Sequence, residues 1–138
     1  MIALVAWTFA IMSFMAYRRF TAIFAGRVKP GQFKLGESPD VPADVRVANR
    51  NFVNLFEMPV LFYVLCVALY ATHRVSDAMV VLAWVYVALR VLHSLIHVSY
   101  NQVMQRFLAY AASNLILMVM WITFAVVVHH APRPWPFG

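Results

Sequence analysis

The residue types in this chain that could do chemistry fall into two spaced sets. Arg50, Asn54 and Glu57 stand at i, i+4 and i+7, and Tyr86, Arg90, His93 and His97 at i, i+4, i+7 and i+11. On a helix, each set occupies one face. A guanidinium can grip a carboxylate or phosphate through two parallel hydrogen bonds, a carboxylate can accept from an ammonium group, and imidazoles can do either. Arg106 follows a short polar connection and can close the group from one edge. These side chains lie in apolar surroundings, where each charge costs roughly 2.5–3.5 kcal/mol at the centre of a bilayer.

Three chemistries compete for this pattern. A Glu57–Arg90 ion pair would neutralise two intramembrane charges and act as interhelical glue. That reading leaves Arg50, Asn54 and Arg106 without a purpose, and excess donors around one carboxylate point instead to an anionic ligand. A metal is the third candidate, because His93 and His97 have the i, i+4 spacing of two ligands on one helix. Membrane diiron oxygenases use several histidine boxes, whereas here His129 and His130 lie at the opposite membrane face, so the histidines are read as hydrogen-bond donors to a ligand or as satisfied packing residues, and no metal is expected.

The elements that must position these residues follow from composition. Of the 138 residues 64% are apolar and only 12% charged, against roughly 45–50% apolar in soluble chains. The class is therefore all-α integral membrane, in one domain over residues 1–138. A net charge of +6 lies mostly in one connection, which suits phospholipid headgroups rather than nucleic acid. Cys66 is the lone cysteine and sits in an apolar run, where it reads as a small hydrophobe. The apolar run from Ile2 to Tyr17 is read as an uncleaved first span, because Arg18 and Arg19 follow it.

Four transmembrane helices are expected, at about 2–25, 47–70, 78–98 and 106–129, each near the roughly 20 residues that cross hydrocarbon. The connection GRVKPGQFKLGESPDVPADVR is rich in glycine and proline and reads as a loop. Pro59 is expected to kink the second span. Arg18, Arg19, Arg27, Lys29, Lys34, Arg46, Arg50 and Arg106 fall on one side of the bilayer, against Arg74 and Arg133 on the other. Both termini are thus expected outside, with the first and third connections cytoplasmic. At a rise of about 1.5 Å per residue, Glu57 and His93 each lie about 10 Å from the cytoplasmic edge and Arg90 about 15 Å. Two antiparallel helices bring their ionisable groups to one depth. The ending HHAPRPWPF is expected to be extended, with Trp135 at the headgroups.

The stretches RVANRNFVNLFEMPVLFYVL and ALRVLHSLIHVSYN, with four spans and a basic first connection, resemble the MAPEG family, the membrane-associated proteins of eicosanoid and glutathione metabolism. FEMPVLFYVL looks most like its bacterial, largely uncharacterised branch. The resemblance implies a homotrimer of four-helix bundles in the bacterial inner membrane, binding glutathione as co-substrate between subunits, at a site facing the cytoplasm. It implies an apolar small-molecule or lipid substrate. Arg50, Asn54 and Glu57 match the family's glutathione-holding positions, with Arg90, His93 and His97 added from the third span. Arg106, allowing a two-residue offset in the third connection, matches the arginine credited with stabilising the thiolate. His93 and His97 stand where leukotriene-forming members have tyrosines. Some members are non-catalytic, which leaves a lipid-binding trimer or an accessory subunit of a larger membrane complex as the alternative.

Overall fold

The computed structural model describes residues 1–34 and 38–130. The expected ending from Ala131 onward, with Arg133 and Trp135, lies outside the described residues, as do residues 35–37. The structure is all helical: α1 (Ile2–Phe24), a short 3-10 turn (Pro30–Phe33), α2 (Ala43–Asn54), α3 (Met58–Ala71), α4 (Asp77–Val98) and α5 (Val103–His130). No strand occurs among the described residues. Three helical rods are long and apolar enough to cross a membrane: Ala43–Ala71, Asp77–Val98 and Val103–His130. His129 and His130, expected in an extended tail, are the last residues of α5.

The second expected span is interrupted, and Pro59 explains where. Proline carries no N–H to offer the carbonyl four residues earlier, and its ring disfavours helical geometry at the residue before it. Accordingly α2 tightens and stops, with Leu55 N donating to the Phe52 carbonyl at 3.1 Å and Phe56 N to that of Val53 at 2.9 Å. Glu57 leaves helical geometry (φ −83°, ψ −98°). The chain re-enters a helix at Met58, with Pro59 in the first turn, where its missing N–H is one of four that have no helical partner anyway. Arg50, Asn54 and Glu57 therefore do not share one continuous helical face, as their spacing had implied.

The described residues of the first connection hold more local structure than a glycine- and proline-rich loop would suggest. Gly26 ends α1 at φ +68°, a conformation glycine adopts without strain, and Arg27 N donates back to the Ala22 carbonyl at 2.9 Å. Ala22, Val28, Val41 and Val45 form a small buried cluster with Phe33 against it. Asp44, in the first turn of α2, pairs with Arg18 at 3.0 Å and Arg27 at 3.3 Å. α2 thus begins four residues before the expected Val47. Its first turn gains from an acidic residue at the positive end of the helix dipole.

Packing is mostly pairwise: α4 lies along α5, α1 along α2, with α2 against α4 and α3 against α5. The main core includes Leu4, Leu55, Phe62, Leu65, Tyr86 and Met120, and the Phe62 and Tyr86 rings stack with centroids 4.5 Å apart. Large apolar side chains such as Phe9, Val64, Trp84, Leu115 and Ile122 remain exposed on the single chain, as hydrocarbon surroundings allow. Asn51 and Ser94, both fully buried, tie α2 to α4 through a 2.7 Å bond from Asn51 Nδ2 to Ser94 Oγ. Interhelical bonds of this kind average about 0.6 kcal/mol in membranes, with a maximum near 1.7. A double-mutant cycle of Asn51→Ala and Ser94→Ala, read by unfolding in detergent micelles, is expected to give a coupling within that range; strict additivity would show that the bond contributes nothing.

Candidate functional site

The break between α2 and α3 builds one wall of a cavity of about 250 Å3, and α4 and α5 build the others. Its lining comprises Asn54 and Glu57 from the break, His93 from α4, and Val103, Arg106, Phe107 and Tyr110 from α5. Four of the residues singled out in the sequence, Asn54, Glu57, His93 and Arg106, thus meet around one space. His97 stands just behind Arg106. Arg50 is exposed and does not line the cavity, although it acts electrostatically on His97. Tyr86 lies deeper on its helix, in the core against Phe62.

Arg90 bonds to the backbone rather than to a carboxylate among the described residues. Its side chain is fully buried, and Nη2 donates to the backbone carbonyl of Asn54. In an uninterrupted helix that carbonyl would accept from the N–H of residue 58; the break frees it, and Arg90 takes the vacant acceptor. The guanidinium therefore caps the C-terminal end of α2, where the helix dipole is negative. Among the described residues Glu57 forms no ion pair with Arg90, so the charge-neutralising staple weighed above is not what the structure contains. Nε and Nη1 of Arg90 find no partner among the described residues, and the Tyr110 ring lies 5.4 Å from the guanidinium. Arg90 stands beside Asn54 and Tyr110, two residues that line the cavity, and Glu57 acts on its charge electrostatically without forming an ion pair among the described residues.

At the other edge, α4 ends in a turn that fixes Arg106. Asn101 adopts φ +49° and its N–H donates to the Ile96 carbonyl at 2.8 Å, closing the helix in the left-handed cap that asparagine tolerates well. Arg106 Nη1 donates to Asn101 Oδ1 at 2.7 Å and lies 3.2 Å from His97 Nδ1, which itself sits 3.0 Å from Asn101 Oδ1. His93 Nδ1 donates to the Arg106 carbonyl at 2.9 Å; a carbonyl can only accept, so the Nδ1 position carries the proton. His93 Nε2 is buried with no partner among the described residues. Such an arrangement suits an anion: the cations at the cavity are held by neutral acceptors, and the single carboxylate, Glu57, is exposed. No group of three or more His, Cys, Asp or Glu among the described residues could hold a metal ion.

Sequence reasoning missed Tyr110, Asn101 and Asn51. Tyr110 was legible, since it follows Arg106 by four residues on one helix face. A second cavity, of about 380 Å3, lies at the opposite end of the bundle and is lined by Met1, Cys66, Leu69, Val75, Met79 and Met120, among others. Cys66 is half-buried there, as befits a small apolar side chain. Replacing Arg90 by Met keeps the apolar stem but leaves the Asn54 carbonyl without its donor, a loss of about 1–3 kcal/mol. Amide exchange at residues 55–58 is expected to quicken by roughly tenfold or more in Arg90→Met, while exchange in α5 stays as it was. Unchanged exchange at the break would show that the cap does not hold it.

The family model for the MAPEG family matches residues 1–126 of this 138-residue chain. No curated protein and no solved structure matches it. With that match running through all five helices up to residue 126, the chain belongs to the MAPEG family.

Proposed function

We propose that the protein is a glutathione-dependent membrane transferase or peroxidase that acts on apolar electrophiles or lipid hydroperoxides. The observation that carries this reading is the cavity shared by Asn54, Glu57, His93 and Arg106, in which Arg106 is bonded to an amide oxygen and forms no ion pair with Glu57 among the described residues. Glutathione presents two carboxylates, an ammonium group and a thiol. Glu57 accepts from the ammonium, Arg50 grips a carboxylate at the exposed mouth, and Asn54, His93 and His97 supply hydrogen bonds. Arg90 adds positive potential from beside Asn54 and Tyr110. Arg106 stands beside the sulfur, where a cation favours the charged form of the thiol and so lowers its pKa. The thiolate then attacks an electrophilic carbon: a C–S bond forms, the leaving group departs with its electron pair, and the thiol proton passes to water.

The active form is a homotrimer of single-domain, four-span subunits, α1 being the fourth crossing, in a bacterial inner membrane with both termini outside and the cavity facing the cytoplasm. Two features support assembly. The cavity is smaller than the roughly 300–1,000 Å3 usual for ligand sites, and Glu57 and Arg50 lie exposed where a neighbouring subunit would cover them. Apolar substrate arrives through the lipid-facing side chains around Phe107.

A second reading, a non-catalytic lipid-binding trimer or accessory subunit of a larger membrane complex, is favoured by the apolar cavity at the opposite end. The two separate on one titration. With the purified protein, glutathione is expected to give ultraviolet thiolate absorbance at neutral pH; Arg106→Ala should abolish it, and Arg50→Ala should weaken glutathione binding by roughly tenfold, as loss of one charge-assisted contact predicts. Absence of both binding and thiolate in the native protein, with lipid or a partner protein copurifying, would favour the non-catalytic reading.

A further inference from the structure

Arg106, at the cavity, is held differently from Arg18 and Arg27, which lie on either side of the end of α1. Arg18 and Arg27 are paired with the carboxylate of Asp44, which cancels much of their field. Arg106 is held by an amide oxygen, Asn101 Oδ1, at 2.7 Å, with the His97 imidazole alongside at 3.2 Å. Arginine only donates, so the atom facing it must be the amide oxygen rather than the nitrogen. Asn101 itself is fixed by its backbone: φ +49°, an N–H bonded to Ile96, and a position at the end of α4 five residues before Arg106. The carbonyl of Arg106 is fixed independently by His93 Nδ1. Both ends of the residue that lines the cavity are thereby anchored, and neither anchor carries negative charge.

We infer that Asn101 is a positioning residue whose neutrality is its function: it orients the Arg106 guanidinium toward the cavity without cancelling the charge that an anionic sulfur there would need. The inference rests on the glutathione reading above and deepens it by assigning a residue that touches no substrate. A carboxylate at position 101 would hold Arg106 at least as firmly while forming an ion pair with it, and so would disable the site without loosening it. The residue type thus matters in a way that shape alone does not. The charged and titratable groups around Arg106 are His93 and His97 from α4, Glu57 from the break, and Tyr110 on its own helix, with Arg50 acting electrostatically on His97.

The test compares native protein with Asn101→Asp and Asn101→Gly, each titrated with glutathione from pH 6 to 9 by thiolate absorbance, alongside thermal melting. Asparagine, aspartate and glycine all tolerate the left-handed backbone, so Asn101→Asp is expected to melt with the native protein or slightly higher, and Asn101→Gly somewhat lower, because it loses the side-chain bonds to Arg106 and His97. Asn101→Asp is expected to raise the pKa of the bound thiol by roughly 1–3 units, the size of effect a neighbouring charge exerts, which cuts the thiolate fraction tenfold or more near neutrality. Asn101→Gly keeps the charge but frees the side chain and is expected to fall between the two. A purely structural asparagine predicts the same thiol titration in all three, and that result would overturn the proposal while leaving the glutathione reading intact. Failure of the native protein to bind glutathione at all would overturn both.

Discussion

A guanidinium buried in the middle of a membrane protein is the constraint around which the structure is organised. Arg90 is fully buried, and a charge so placed demands hydrogen bonds. The one it has comes from the backbone, at the carbonyl that the interruption before Pro59 sets free. Each defect repairs the other: the broken helix would leave a carbonyl unsatisfied, and the arginine would lack an acceptor. Because the acceptor is neutral, the positive charge survives the repair.

That economy repeats at Arg106 and sets the character of the cavity. Held by Asn101 and approached by His97, it keeps its charge too. Glu57, the only acidic side chain lining the space, is exposed and paired with neither arginine among the described residues. The result is a small pocket that sets Asn54, Glu57, His93 and Arg106 beside the apolar Val103 and Phe107, among helices whose outer faces are apolar. Arg18 and Arg27 are held in the opposite way, both paired with the carboxylate of Asp44, which ties the start of α2 to the end of α1.

Much of this was legible in the sequence, and the reasons it stopped being so are physical. Spacing alone gathered Asn54, Glu57, His93 and Arg106, because helical periodicity and antiparallel depth are readable from a single chain. Pro59 announced a disturbance, but proline does not say which carbonyl it will free or which side chain will claim it. Charge offered Glu57 as a partner for Arg90, a pairing the spacing of the other donors already argued against; the structure bonds Arg90 to a backbone carbonyl instead. Asn51 passed unnoticed because it is not ionisable, yet it is fully buried and bonds Ser94 across the contact between α2 and α4. Asn101 could not be read at all, since its role depends on a left-handed turn that sequence leaves unspecified. Arg50 shows the reverse: correct in spacing, it sits outside the cavity on the isolated chain.

The central claim is that this pocket receives an anionic thiol. Its most direct test is a density map of the detergent- or lipid-embedded protein with glutathione present. The account predicts glutathione in the space between Glu57, His93 and Arg106, its sulfur beside the Arg106 guanidinium. A map with glutathione elsewhere or nowhere, and with a lipid chain lying across that space instead, would contradict it.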